Sequence, residues 1–287
     1  MSDHVVLCPN PFRDTGLKLT LEAKELLEKA GIKAFISPIV NVAKDAQLPI
    51  GVTVTPAEEA VRGARLMVCF GGDGTILRTA REALHEQVPI LGVNLGSKGF
   101  MAELEPGEIG KLVDAALGNY TPDRRMMLEV RLIREGQVVF TDHALNDVVV
   151  RSIVHAIELE ARGDGQIISA FMGDGIIVAT PTGSTAYSMS AGGPLVEPSA
   201  RNIIMTPICA HVLAAKSFVL APEREVTVRT GDITGKGTVL SVDGFSTIKL
   251  QNGDELIIKK SRFETVLAHV GKKSFYEKAY EKLGERK

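Results

Sequence analysis

Five consecutive residues combine backbone freedom with a carboxylate: Gly71-Gly72-Asp73-Gly74-Thr75. They follow an apolar run at residues 66–70 and precede a helical pattern from Ile76, so they connect a strand to a helix. Glycines there allow positive φ and let an anion approach the first N–H groups of the helix. Because a carboxylate repels phosphate, Asp73 indicates another task, such as accepting a proton from an attacking hydroxyl or binding a sugar or metal. The alternative is a plain bend in which Asp73 or Thr75 caps the helix.

A second group of small and hydroxylated residues lies later in the sequence, in Gly173-Asp174-Gly175 and in the run from Thr180 to Pro194. Such a stretch exposes backbone amides and short donors, which suit a ribose, a pyrophosphate or a carboxamide. The aromatic ring of Tyr187 offers a flat surface against which a ligand can pack. The alternative is a loop and a helix start capped by Ser184 or Thr185.

An amide and a carboxylate stand side by side at Asn146-Asp147, at the start of an apolar strand. Such a pair can bind a sugar diol or an adenine edge through hydrogen bonds. The alternative is an ordinary polar turn before the strand.

The composition favours small-molecule chemistry in two domains. The chain has 287 residues, of which 45% are hydrophobic, and a net charge of -2. This balance gives no electrostatic reason to expect nucleic acid or an anionic membrane as a partner. Without a signal pattern, or an apolar run near the roughly 18 residues of a membrane helix, we expect a cytoplasmic protein.

Cysteine and histidine do not predict a metal site. The three cysteines are widely spaced, which is typical of reduced thiols, and the six histidines form no close ligand spacing. His155 and His211 are left as possible ligand contacts.

The two halves of the sequence differ in periodicity. Up to residue 119, short apolar strands alternate with helical patterns, which predicts an α/β N-terminal domain with a parallel Rossmann-like sheet. Residues 120–271 alternate with period two between turn signals, which predicts a mostly antiparallel β-sandwich as the C-terminal domain. Residues 272–287 have one apolar helical face and are expected to pack back on the first domain.

The order and spacing of the three groups resemble the NAD kinase family. Gly-Gly-Asp-Gly-Thr alone is shared with diacylglycerol and sphingosine kinases, whereas Thr-Pro-Thr-Gly-Ser-Thr-Ala-Tyr-Ser separates NAD kinases from them. The resemblance implies transfer of the γ-phosphoryl group of Mg²⁺-ATP to the 2′-hydroxyl of the adenosine ribose of NAD, giving NADP. It also implies a homodimer or homotetramer.

The resemblance also assigns roles to residues, with Asp73 as the catalytic base. The phosphate-binding positions would be Gly71, Gly72, Gly74, Thr75 and Arg78. The NAD-binding positions would be Gly74, Phe100, Asn146, Asp147, His155, Asp174, Thr182, Thr185, Ala186, Tyr187 and Ser190. A strand-edge histidine and a solvated helix arginine are the alternatives for His155 and Arg78.

Four departures from the family pattern leave substrate details open. Asp147 stands where many relatives have glutamate, Lys98 where an aliphatic residue is common, Phe245 where glutamine is frequent, and Met172 where some have a basic residue. They bear on the choice between NAD and NADH, while the donor could be ATP or polyphosphate. A soluble lipid kinase and a non-catalytic dinucleotide sensor are the competing hypotheses.

Overall fold

The computed structural model describes residues 4–38, 48–96, 99–212, 215–271 and 274–284. The chain divides into two compact units, Met1–Arg124 with Thr265–Lys287 and Arg125–Glu264. The sequence pattern predicts a second domain that ends at residue 271. Residues 265–271 instead group with the first unit, where Leu267 pairs in parallel with Ile90.

Helices and strands alternate in the first part of the chain, and strands dominate the rest. The helices are α1 (Lys18–Lys29), α2 (Ala57–Ala60), α3 (Asp73–Ala83), α4 (Leu112–Ala116), α5 (Tyr187–Ser190) and α6 (Phe275–Leu283). The first eight strands are β1 (His4–Pro9), β2 (Lys33–Ile36), β3 (Ala64–Gly71), β4 (Ile90–Asn94), β5 (Thr121–Arg134), β6 (Gln137–Ala144), β7 (Asp147–Arg151) and β8 (Ile157–Gly163). The other eight are β9 (Gln166–Gly173), β10 (Gly175–Ala179), β11 (Ile203–Ile208), β12 (Phe218–Leu220), β13 (Val226–Thr230), β14 (Val239–Val242), β15 (Ser246–Lys249) and β16 (Glu255–His269).

The first unit is built on a parallel sheet in the order β2-β1-β3-β4, extended by the end of β16. The strands are almost wholly buried, as expected for apolar runs covered on both faces. Helix α3 begins at Asp73, three residues before the predicted start, and Gly72 alone separates it from β3. Asp73 therefore lies in the first helical turn, at the carboxyl end of a central strand.

The second unit consists of two sheets that share one hydrophobic core. One sheet has the order β12-β11-β10-β7-β14-β15, with every neighbouring pair antiparallel. The other contains β9, β8, β13, the first part of β16, β5 and β6. Alternate residues of both sheets, such as Leu128, Val148, Val150, Ile176 and Leu256, are buried in the common core. The predicted α/β plus β-sandwich fold class is confirmed.

Three turn signals in the β half of the sequence predict hairpins, at residues 134–137, 162–165 and 251–254, and the first two join paired strands. Glu135-Gly136 and Asp164-Gly165 all have positive φ, as a two-residue type I′ turn requires. The third prediction, of a hairpin at residues 251–254, is wrong. This turn leads from β15 in one sheet to β16 in the other, so it is a connection between sheets.

Candidate functional site

The carboxylate of Asp73 is held by the backbone of a neighbouring loop in the first unit. Phe100 N donates to Oδ2 at 2.8 Å, and Met101 N donates to Oδ1 at 3.2 Å. The loop can approach this closely because residue 99 is glycine, since a Cβ there would lie 2.0 Å from Asp73 Oδ1. Two N–H donors therefore fix the orientation of the carboxylate.

The glycines beside Asp73 do not serve the turn in the predicted way. None of Gly71, Gly72 and Gly74 has positive φ, and Gly72 is extended at φ -113° and ψ -168°. Gly71 is needed for close packing, because a Cβ there would lie 2.1 Å from the Thr75 hydroxyl oxygen. At Gly72 and Gly74 an added Cβ would meet nothing within 4 Å. These two positions leave open space at the start of α3.

Two other predicted phosphate residues have different surroundings. The Thr75 N–H donates to Gly72 O at 2.8 Å, and Asn10 Nδ2 donates to the buried Thr75 hydroxyl at 3.5 Å. Arg78 is exposed on α3. Thr75 thus helps to form the turn, and Arg78 lies one helical turn further along.

Phe100 is covered by the C-terminal helix α6 of the same unit. Its side chain is 8% exposed, and its ring centroid lies 6.3 Å from the ring centroid of Phe275. Lys282 Nζ lies 4.3 Å from the centroid of the Phe100 ring. Glu103 strengthens this packing by accepting from Gly271 N at 2.7 Å and from Lys278 Nζ at 3.0 Å. A cavity of about 420 Å³ lies beside these residues. Of the predicted tail helix, residues 272–273 and 285–287 lie outside the described residues.

The second unit has a cavity of about 400 Å³ on the outer face of the β7-β14-β15 sheet. Alternate residues of β7 point there, because their neighbours fill the core. Four predicted NAD-binding residues line it: Asn146, Asp147, Ala186 and Tyr187. The others lining it are Val149, Arg151, Val239, Ser241, Asp243, Gly244 and Thr247.

Two carboxyl groups of this cavity have raised pKa values. Asp147 is 7% exposed, and burial followed by the charge of Asp243 raises its pKa to about 7. Burial also raises the pKa of Asp243 to about 6, although hydrogen bonds from the amides of residues 145–147 oppose the rise. Sequence reasoning missed Asp243, because Asp-Gly between two strands is an ordinary turn signal.

Most hydroxyls of the 180–194 run are used inside the fold, which corrects the prediction that they are exposed. Thr180 Oγ1 donates to Leu145 O at 2.6 Å, and Ser184 Oγ donates to Pro181 O at 2.7 Å. Ser188 shares a hydrogen bond of 3.0 Å with Thr206. Thr180, Ser184 and Ser188 are fully buried, so their role is structural.

The remaining predicted NAD-binding residues lie outside the cavity lining. Thr182 is 5% exposed and accepts from Arg125 Nη1 at 3.2 Å. Thr185 is half-buried, and Ser190 is exposed. His155 and Asp174 are exposed on two adjacent loops. The two loops are connected by a hydrogen bond of 2.8 Å from Ser152 N to Asp174 O.

The described residues form neither a metal cluster nor a membrane span. They hold no group of three or more histidine, cysteine, aspartate or glutamate side chains that could share a metal ion. None of their helices has the length and apolar character that crossing a bilayer requires.

Both halves of the chain match known protein families. Residues 10–119 match the ATP-NAD kinase N-terminal domain, and residues 145–270 match the ATP-NAD kinase C-terminal domain. The NAD kinase of Ruminiclostridium cellulolyticum is 36% identical over 281 residues, covering 97% of this chain and 96% of the relative. The NAD kinase of Acetivibrio thermocellus is 36% identical over 285 residues, covering 98% and 96%.

Two solved structures share the fold over most of their length. Yeast NADH kinase complexed with NADH superimposes with a TM-score of 0.86 at 26% identity, covering 98% of this chain and 87% of its own. The NAD kinase of Archaeoglobus fulgidus in complex with ATP gives a TM-score of 0.73 at 26% identity, covering 92% and 93%. On sequence and fold together, this chain belongs to the NAD kinase family.

Proposed function

We propose that the chain transfers the γ-phosphoryl group of ATP to the 2′-hydroxyl of the adenosine ribose of NAD, producing NADP and ADP. Family membership over both halves of the chain supports the activity. The two solved neighbours were crystallised with NADH and with ATP, which are ligands of the classes that this reaction needs.

The observation that carries the chemistry is the held carboxylate of Asp73. Phosphoryl transfer depends mainly on positioning and on stabilising negative charge. Asp73 receives two N–H donors from residues 100–101, so its direction is set before any substrate binds. In the proposed step, the ribose oxygen attacks the γ-phosphorus, its proton passes to Asp73, and ADP leaves.

We assign phosphate binding to the first unit. The open space at Gly72 and Gly74 and the first N–H groups of α3 suit phosphate oxygens. Gly71 and Thr75 would shape the turn and Arg78 would add a positive charge. The divalent cation is proposed to arrive with the triphosphate, since Mg²⁺ is usually held by substrate phosphates, waters and one or two carboxylates.

We assign dinucleotide binding to the second unit. Asn146, Asp147, Ala186 and Tyr187 share one cavity and are proposed to contact NAD directly. Phe100 of the first unit is proposed to border the adenine. The remaining candidates Gly74, His155, Asp174, Thr182, Thr185 and Ser190 stay predictions from the family resemblance. A cytoplasmic location and assembly into a homodimer or homotetramer also stay predictions.

One assay tests the proposal. Purified protein is incubated with Mg²⁺-ATP and NAD, and NADP is read with an NADP-specific dehydrogenase, which also checks the position of the new phosphate. Asp73→Asn should lose about 10²- to 10⁴-fold in turnover, the usual contribution of a general base, and still bind NAD. Asp114→Asn, an exposed aspartate of the same unit, is the control and should keep full turnover.

Two results would overturn the proposal. Folded wild type that binds NAD and forms no NADP would favour the dinucleotide sensor. Label transfer from ATP to diacylglycerol but not to NAD would favour the lipid kinase. Replacing ATP by inorganic polyphosphate in the same assay defines the donor range.

A further inference from the structure

We propose that Asp243 is a positioning residue of the dinucleotide cavity, which fixes the Asn146-Asp147 segment and moves to higher pH the range in which Asp147 binds NAD as a carboxylate. This inference rests on the proposed function, because it takes NAD as the ligand of the cavity. Asp243 itself is not proposed to touch the reacting atoms.

The geometry of the Asp243 carboxylate supports the positioning role. Its Oδ2 accepts from Leu145 N at 2.7 Å, and its Oδ1 accepts from Asn146 N at 2.8 Å and from Asp147 N at 3.0 Å. Three successive backbone N–H groups thus surround one carboxylate, as in the backbone nests that bind anions. The arrangement fixes the backbone where β7 begins.

The same segment is held from two further directions. Asp243 N donates to Asp147 O at 3.0 Å, so the hydrogen bonding between the two aspartates is reciprocal. On another side, Thr180 N donates to Asn146 O at 2.8 Å. Gly183 packs so closely that a Cβ would lie 2.1 Å from Asn146 O. With the backbone held in this way, Asn146 and Asp147 keep their places in the lining of the cavity.

One buried atom indicates that this segment awaits a ligand. Asn146 is 8% exposed, and its Oδ1 has no hydrogen-bond partner within the described residues. A buried acceptor without a donor is costly, so such atoms are usually satisfied by a water or a ligand. A ribose hydroxyl or the adenine amino group would supply the donor.

The charges around Asp147 explain the pH dependence. Its pKa is raised to about 7 by burial and by the charge of Asp243. The charge of Asp142 contributes to the raised pKa of Asp243, and the exposed Arg151 lines the same cavity. As the pH rises through about 7, Asp147 becomes a carboxylate that accepts from two ribose hydroxyls. Its affinity for NAD should therefore increase over this interval.

The test is a calorimetric titration with NAD alone between pH 5.5 and 8.5, without ATP, on roughly micromolar protein. In wild type we expect affinity to rise about tenfold across the interval, as expected when a charge-assisted hydrogen bond replaces a neutral one. Asp243→Asn removes the neighbouring charge while an amide oxygen still accepts two of the three N–H groups. The pH midpoint of the rise in NAD affinity should therefore move about one pH unit lower in this variant.

A matched control separates this role from a purely structural one. Asp254 is another buried turn carboxylate of the same unit, which accepts from Gln251 N at 2.8 Å and pairs with Arg134. Asp254→Asn should lower the melting temperature without moving the midpoint of NAD binding. An unchanged midpoint in folded Asp243→Asn would overturn the inference.

Two further outcomes keep the test decisive. If Asp243→Asn does not fold, Asp147→Asn is titrated instead and should lose the pH dependence of NAD affinity, and retention of the wild-type profile would overturn the inference. If wild type binds NAD with this pH profile and forms no NADP, the proposed function fails while the role of Asp243 in binding stands.

Discussion

Each unit orients a carboxylate through backbone N–H groups, but the segments that surround the two carboxylates come together differently. Backbone N–H groups orient Asp73 in the first unit and Asp243 in the second. Around Asp73, the strand end, the glycine turn and the helix start are contiguous in sequence. Asp147, by contrast, depends on a turn that is far away in sequence. The position of Asp73 is therefore locally encoded, although residues 100–101 orient its carboxylate, whereas the cavity that contains Asp147 depends on contacts between segments far apart in sequence.

Apart from Asp73→Asn, the largest expected effect comes from crowding the proposed catalytic carboxylate. In Gly99→Ala the new Cβ would lie 2.0 Å from Asp73 Oδ1, so the carboxylate or the loop must move. We expect turnover at saturating ATP and NAD to fall about 10²-fold, because misplacement of a catalytic group by about 1 Å has this effect. Gly96→Ala is the matched control, since its Cβ would meet nothing within 4 Å. Equal turnover in both variants would show that the loop does not orient Asp73.

The next effect tests whether the buried hydroxyls of the second unit are structural. Thr180→Val removes the donor to Leu145 O and the acceptor of Gly183 N. Leaving these buried groups unpaired should lower the free energy of unfolding by about 1–3 kcal/mol. Urea unfolding measures the loss, with Thr227→Val on β13 as a control for the same change on a half-buried strand. Equal stabilities of the two variants would contradict the structural role.

A separate effect concerns the pH dependence of stability. Because the pKa of Asp147 is raised from 3.8 to about 7, the folded state keeps a proton that the unfolded chain loses between these values. Its contribution to stability therefore falls as the pH rises through this window and stays low above it. Each unit of pKa shift lowers the stability of wild type by about 1.4 kcal/mol, and Asp147→Asn removes this loss. The variant should therefore gain stability relative to wild type on going from pH 4 to pH 8. Parallel melting-temperature profiles of the two proteins would contradict the raised pKa.

The smallest effect is expected at the exposed end of the hydroxyl-rich run. Ser190 is exposed, so Ser190→Ala should leave the melting temperature unchanged. If its hydroxyl contacts the dinucleotide, the KM for NAD should rise severalfold, the usual effect of losing a neutral hydrogen bond of about 1 kcal/mol. Steady-state kinetics at fixed ATP measure the change. An unaltered KM would remove Ser190 from the proposed site.

The sequence predicts the fold class and the position of Asp73, because both follow from local periodicity and from one contiguous motif. It also predicts the Asn146-Asp147 pair as a candidate site. It misses Asp243, since an Asp-Gly turn has the same appearance whether or not its carboxylate binds a distant backbone. It overestimates the exposed donors in residues 180–194, because the burial of Thr180 and Ser184 depends on packing against residues far away in sequence.

The long strand β16 has a consequence for biosynthesis. Its last residues join the first unit beside β4, whereas residues 125–264 form the second unit. A ribosome that adds about 5–20 residues per second needs roughly 7 to 28 seconds to make the intervening segment. During that time Ile90 at the start of β4 lacks its partner Leu267, whereas Val93 already pairs with Leu104 of the same unit. Because an open strand edge is a site for wrong association, we expect this end of β4 to be vulnerable in the nascent N-terminal unit until residues 265–269 emerge.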